Sequence, residues 1–349
     1  MEFIKPGINI DFIGKRKIAF VFSALMIIAT ICLLIWRGGP NYGVDFAGGV
    51  LVQVKLDQKR MPAEIKKALE PVQLADSMIQ EFGEEEQFEY LIHIQRTDID
   101  LTGLSETVKN ALTEEFGQNV EMRRVEMVGP KVGKDLRQKA LFAIFYAILF
   151  IAIYISGRFE LKWLMSIVLA ASLALVVTIA SGLGMSVTWL IMIALIVTIA
   201  LCWFLKLKYA LGAIVALIHD VTITIGAFAL TDKEFSLPII AAILTIVGYS
   251  LNDTIIVFDR IRENLRRFRR RPFEEVMNTS INETLSRTIL TSTTTLVVVL
   301  TLFLLGGGVI HDFVFAILIG VIVGTYSSVF VASPVLLIWE GTFAKKGKG

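Results

Sequence analysis

The stretches LTIVGYSLNDTIIVF (residues 244–258) and RTILTSTTTLVVVLTLFLL (residues 287–305) read as two membrane-spanning helices that each carry a charge, Asp253 in the first and Arg287 at the start of the second. A charge near the centre of a bilayer costs roughly 2.5–3.5 kcal/mol on insertion scales. Such residues face a bundle interior or an aqueous route, so an acid and a base on adjacent spans point to proton-coupled work. Polar neighbours support that reading. Ser250 and Asn252 lie beside Asp253, and Arg287, Thr291 and Thr294/Thr295 share one helix face by i, i+4 spacing. A second ionisable pair, His219-Asp220, falls in another apolar run; relay partner and buried structural network are both open readings for it.

Composition agrees with a membrane protein. The chain has 349 residues, is 55% hydrophobic and has a mean hydropathy of +0.68. A net charge of +2 gives no reason to invoke a nucleic-acid partner. Cys32 and Cys202 lie in apolar runs and read as packed thiols. His93, His219 and His311 are far apart without ligand spacing, so no metal site is expected. About eight runs are long enough to span a hydrocarbon core of roughly 30 Å: 18–36, 139–156, 163–180, 188–205, 209–230, 237–258, 287–305 and 312–338. The first lacks a small-residue cleavage site and reads as an uncleaved anchor.

Lysine and arginine set the orientation. They precede the first span (Lys15, Arg16, Lys17) and follow the second (Arg158, Lys162), fourth (Lys206, Lys208), sixth (Arg260 to Arg271) and eighth (Lys345, Lys346, Lys348). The alternate short loops hold only Lys233. Both termini are therefore predicted cytoplasmic, with the long segment 37–138 outside. That segment predicts strand 50–56, helix 62–70, strand 77–82, strand 88–96, helix 102–116 and strand 120–128, the β-α-β-β-α-β order of a ferredoxin-like domain. It shows no catalytic constellation. His93 lies on a strand without an acidic partner in the nearby sequence and reads as structural, and Glu84-Glu85-Glu86 reads as a solvated turn.

Four stretches then carry a family resemblance. They are YGVDFAGG (42–49), VGPKVG with Leu136-Arg137, GYSLNDT running on to VFDRIREN (248–264), and NETLSRT (282–288) with the later Ile319-Gly320 and GTYSS (324–328). Together they resemble the SecF branch of the SecD/SecF family of bacterial protein export. The resemblance implies a polytopic α-helical protein with an RND-like transmembrane bundle and one periplasmic α+β domain. It implies residence in the inner membrane and a non-enzymatic role: driven by the proton motive force and without a cofactor, the subunit promotes preprotein translocation through SecYEG and release outside. The implied partners are SecD, SecYEG and SecA, with YajC and YidC as further candidates, and unfolded preprotein as the substrate. Asp253 and Arg287 align with the family's functional acid and base, and His219-Asp220 also matches its pattern. The competing reading is a stand-alone RND-type exporter of small molecules or lipids, which needs two pseudo-repeated halves with two large loops; this chain has one.

The expected division is 1–36 N-terminus and first span, 37–138 periplasmic domain, 139–160 second span, 161–208 inserted hairpin, 209–338 bundle with a cytoplasmic loop 259–286, and 339–349 tail. The hairpin departs from the family's usual six spans and contains no intramembrane charge, so peripheral packing is expected. Gly43, Asp45, Gly48 and Gly49 are hinge candidates between domain and membrane. Gly320, Gly324 and Ser328, at four-residue spacing, form a helix-packing stripe.

Overall fold

Lipid offers no partners for backbone N–H and C=O groups, so long apolar runs satisfy them internally as helices. The computed structural model describes residues 8–82, 88–94, 101–117, 119–183 and 185–346. In chain order, α1 (Arg16–Arg37) is followed by the one-turn α2 (Val44–Ala47), then β1 (Gly49–Lys55), α3 (Pro62–Ala68), β2 (Met78–Phe82), β3 (Glu89–Ile94), α4 (Leu101–Phe116) and β4 (Glu121–Val128). The chain returns through α5 (Pro130–Ile155), which runs into a π-turn (Ser156–Glu160), then α6 (Trp163–Gly182), α7 (Val187–Phe204), α8 (Lys208–Leu230), α9 (Leu237–Arg267) and α10 (Phe273–Leu305). Finally α11 (Gly308–Ser327) continues through a second π-turn (Ser328–Ala332) into α12 (Ser333–Lys346). Among the described residues seven helices are long and apolar enough to cross a membrane, and Trp189–Phe204 of α7 is a shorter apolar helix. The acidic turn 84–86 and residues 347–349 of the tail lie outside the described residues.

The sheet order is β2-β3-β1-β4 with every neighbour antiparallel, the arrangement expected of the β-α-β-β-α-β order. Val50, Val52, Val54, Tyr90, Ile92 and Ile94 alternate onto one face and pack against Ile65, Leu69, Leu104, Val108 and Leu112. The Tyr90 hydroxyl accepts the Arg60 N–H and donates to the Arg60 carbonyl, both at 2.7 Å, and burial pushes the phenol above its usual range.

Helices extend past the apolar runs that announced them. Segment 259–286, expected as a loop, is helical except at residues 268–272. The reason is amphipathicity: Ile261, Val276, Met277 and Ile281 are buried, while Asn264 donates to Ser280 at 3.1 Å and to Glu283 at 2.7 Å. Arg287 therefore lies in the middle of α10, not in its first turns. Asp259 pairs with Arg158 at 2.8 Å, across helices. Asp312 sits within α11 and takes Lys233 at 2.5 Å.

Close helix approach is set by glycine. A Cβ on Gly320 would come within 2.3 Å of Ile246, and one on Gly324 within 2.9 Å of Ser250, so the small-residue stripe packs α11 against α9 of the same chain. Ser328, the third residue of that stripe, opens the π-turn and accepts the Ser333 hydroxyl at its carbonyl, at 3.0 Å.

The α+β domain is fastened to the bundle at several points. Gly43 N–H donates to the Phe235 carbonyl at 3.1 Å, and Asp45 accepts the Leu237 N–H at 2.9 Å, serving the first turn of α9. Gly48 (φ +80°) lies so close to the start of α5 that a Cβ would meet Pro130 at 3.0 Å. Gly49, also at positive φ (+141°), opens β1. His93, expected to lack an acidic partner, lies 2.9 Å from Glu234; the two are distant in sequence and meet only because the domain sits on the α8–α9 loop.

The α6–α7 hairpin buries Leu169, Leu173, Ala194 and Cys202 against the bundle, while Leu164, Ile167, Leu175, Trp189 and Ile196 stay exposed on its outer side. Its ends are adjacent: Lys162 Nζ donates to the Lys206 carbonyl at 2.8 Å, and Glu160 accepts the Tyr209 N–H at 3.0 Å. Removing residues 161–206 and joining Glu160 to Leu207 should therefore leave a monodisperse chain with a lowered thermal midpoint. Size-exclusion chromatography and thermal unfolding in detergent check this; aggregation would show the hairpin to be integral to the bundle.

Candidate functional site

The buried face of α9 carries Ser250, Asp253, Thr254 and Val257 at helical spacing, which turns Asp253 away from lipid. Its side chain is buried, yet a single hydrogen bond is made to it among the described residues, from the Ser292 hydroxyl of α10 at 3.3 Å. That is long for an O–H···O contact, and a carboxylate has room for about four. Ser292 is in turn 2.7 Å from the Thr325 hydroxyl of α11, which also lies 2.7 Å from the Val321 carbonyl. Thr325 has one proton and serves one of these acceptors at a time. Asp253 is thus a buried carboxyl group with one long hydrogen bond, at the end of a hydroxyl chain through Ser292 to Thr325.

Arg287 does not close on Asp253. It is exposed on α10 and lines an open cleft of about 660 Å³ with Asn252, Arg158, Asp259, Glu263 and Glu283. Thr291 bonds back to the Arg287 and Thr288 carbonyls of its own helix, each at 3.0 Å. Arg287 thus lines the cleft, while Ser292 of the same helix is what reaches Asp253.

The second acid is held quite differently. Asp220 of α8 is fully buried and accepts three contacts: Ser250 at 2.5 Å and Ser327 at 2.7 Å on Oδ2, and His219 Nδ1 at 2.9 Å on Oδ1. His219 Nε2 continues to Ser23 of α1 at 3.1 Å, Ser23 to the Tyr326 hydroxyl at 3.0 Å, and Tyr326 to the Ala19 carbonyl at 2.8 Å. The network joins α1, α8, α9 and α11. Sequence reasoning singled out His219 and Asp220 but missed Ser23, Thr325, Tyr326 and Ser327 as partners. Thr325, Tyr326 and Ser327 lie in the GTYSS stretch and Ser23 is a lone hydroxyl in an apolar span, and neither signal says which acid a hydroxyl serves.

Residues 34–59 match the SecD/SecF GG motif, with Gly48 and Gly49 inside it, and residues 107–200 and 181–342 match the C-terminal family model of the protein export membrane proteins SecD/SecF. The chain is 40% identical over 344 residues to a protein translocase subunit SecF of Magnetococcus marinus, covering 97% of this chain and 95% of that one. It is 38% identical over 337 residues to the subunit of the same name from Vibrio alginolyticus, covering 96% and 91%. The crystal structure of SecDF from Thermus thermophilus, described as a translocon-associated membrane protein, superposes with a TM-score of 0.74 at 30% identity. That match covers 96% of this chain and 39% of the longer one, so the present chain spans well under half of that protein.

The two acids should respond differently to substitution. Asp220→Ala strands the Ser250 hydroxyl and a His219 ring nitrogen, each costing about 1–3 kcal/mol when buried without a partner, and leaves Ser327 only its 3.2 Å bond to the Gly324 carbonyl. A total loss of about 3 kcal/mol or more is expected. Asp253→Asn keeps the shape and gives up one long hydrogen bond, for a loss below about 1 kcal/mol. Denaturant or thermal unfolding in detergent measures both, and equal losses would show the two carboxylates to be held alike.

Proposed function

This chain belongs to the SecD/SecF family of protein export membrane proteins, and from that premise we propose that it uses Asp253 as a proton carrier to drive movement of its α+β domain during preprotein export. The observation that carries this reading is the contrast just described. Asp220 has its donors in place and is a fixed part of the scaffold. Asp253 is equally buried but has one long hydrogen bond, so gaining or losing a proton there changes little else in the resting bundle. Arginine keeps its proton and serves as the fixed counter-charge.

Depth favours the same pairing. Asp253 lies 16 residues from Leu237 and Arg287 lies 18 from Leu305, both counted from the ends of α9 and α10 nearer the α+β domain. At 1.5 Å per residue these are ~24 and ~27 Å, so the two charges sit at similar levels near the far side of a ~30 Å core. Moving one charge across the membrane potential supplies roughly 2.3 kcal/mol per 100 mV, enough to bias a two-state element about fiftyfold.

Partner contact falls to the exposed side of the same helices. Ala241, Thr245, Gly248 and Asn252 form an exposed stripe of small and polar residues on α9, and Gly248 has open space where a side chain would be. Arg287 is exposed beside it. An arginine facing lipid is costly, so this face belongs against SecD, which supplies the carboxylate that Arg287 lacks here. The subunit is non-enzymatic, acts with SecYEG and SecA, with YajC and YidC as further companions, and needs the proton gradient but no cofactor. It resides in the inner membrane with both termini inside and the α+β domain outside. The names of its relatives favour this over a stand-alone exporter.

Topology is checked by labelling intact spheroplasts, with Cys32 and Cys202 replaced. A cysteine at Glu115 of α4 should react with a membrane-impermeant thiol reagent, and one at Arg270 should not. The reverse pattern would invert the orientation.

Export into energised inverted vesicles tests the carrier. Asp253→Asn should abolish the protonophore-sensitive stimulation with expression and SecD binding intact, Arg287→Ala should come close to that, and Arg287→Lys should keep part of it. Full stimulation in Asp253→Asn vesicles would remove Asp253 as the carrier.

A further inference from the structure

The α+β domain meets the bundle through a pair of buried ionisable groups that the proton route does not use. Along β3, Tyr90, Ile92 and Ile94 point into the domain core, so His93 points out of the opposite face. There its Nδ1 lies 2.9 Å from Glu234 Oε2 on the α8–α9 loop. Histidine and glutamate are only 9% and 7% exposed. Neither ring nitrogen is aligned for a regular hydrogen bond, and Glu234 Oε1 also lacks a partner among the described residues. Buried polar atoms left unpaired are uncommon in folded proteins.

Neighbouring charges are already engaged. Asp232 pairs with Arg37, Lys233 with Asp312 and within 3.4 Å of His311, and Asp45 with the Leu237 N–H. Across the sheet from His93 stand Leu51 and Met78; Glu126, beyond Leu51, pairs with Arg124. Glu234 is thus the carboxylate that faces the imidazole.

We propose that His93 and Glu234 form a proton-binding site that docks the α+β domain onto the bundle when the imidazole is charged and releases it when the ring is neutral. With a proton on the ring, the contact is a close, desolvated ion pair. Without one, a buried carboxylate faces an uncharged ring with no counter-charge, a state that burial penalises strongly. Histidine changes charge between roughly pH 5 and 8. Protons favour the docked state, so docking is fullest on the acid side of that range and falls as pH rises through it. The polar contact from the sheet to α11, Gln80 to Asp312, is 3.5 Å long, and the Gly43 and Asp45 contacts hold only the root of the domain, ahead of its sheet. This inference goes beyond the Asp253 carrier and does not depend on it.

The test uses the full chain co-purified with SecD in lipid nanodiscs, with Cys32 and Cys202 replaced by alanine. Spin labels go on cysteines at Glu115 of α4 and Leu230 at the end of α8, both exposed, and distances are measured by pulsed electron resonance. From about pH 5.5 to about pH 8.5, bracketing the histidine range, a second, longer distance should grow in. The docked-to-undocked ratio should fall by about fivefold or more, the lower end of ordinary coupling between sites. His93→Gln should flatten this dependence, and so should Glu234→Gln, which lies outside the domain and leaves its fold untouched. Asp253→Asn should retain it, which separates this proposal from the carrier reading. One unchanging distance in the unsubstituted chain would overturn the docking site, as would an unaltered pH dependence in Glu234→Gln.

Discussion

A carboxylate buried in a helical bundle has to be surrounded by donors, and those donors dictate how the helices sit. Asp220 imposes that condition here. Its partners are Ser250 on α9, Ser327 on α11 and its own neighbour His219, which reaches Ser23 on α1. Four helices are thereby fixed in rotation and height. The glycine contacts follow from the same closeness: Gly324 lies against Ser250, Gly320 against Ile246, and Gly226 against Thr30 of α1. Small residues let the backbones approach, and the Asp220 network decides where they stop.

That frame gives Asp253 its freedom. Ser250 and Asp253 are one turn apart on α9, while Thr325 and Ser327, two residues apart on α11, serve the two acids separately. One acid is locked and the other is loosely held, yet both depend on the same short stretch of α11. A π-turn begins at the very next residue, Ser328. Such turns recur at functional sites because they carry one extra residue per turn and can shift a helix face. Asp253 is therefore linked to α11 through Ser292 and Thr325, beside the network around Asp220 and not through it.

The α+β domain and the hairpin stand outside this frame in different ways. The domain touches the bundle through polar and charged groups at the α8–α9 loop, whose strength varies with charge state, and at its root through Phe46, which is buried with Phe228, Phe235 and Ile239. The hairpin adds apolar surface and no intramembrane charge. Its close-set ends explain how two helices can be accommodated between α5 and α8 with little disturbance to their junction, which Glu160 and Tyr209 still make directly.

Much of this was legible in the sequence because it is local. Apolar runs specify spans, alternation specifies strands, lysine and arginine asymmetry suggests orientation, and a charge within an apolar run marks itself as special. Thus the strand and helix order of the α+β domain, the prominence of Asp253 and Arg287, and the packing stripe at Gly320 and Gly324 were all visible beforehand. Tertiary structure decided the rest. The helices α9 and α10 continue past their apolar segments because one face of each charged extension is buried, a property of packing and not of mean hydropathy. Arg287 faces the cleft while Ser292 faces Asp253 because five positions on a helix, at about 100° each, leave the two side chains about 140° apart. The donors to Asp220 come from 30 and 107 residues away in the chain, and Glu234 reaches His93 across 141. No local pattern records such meetings; they exist only where the folded backbone brings two distant side chains within hydrogen-bonding distance.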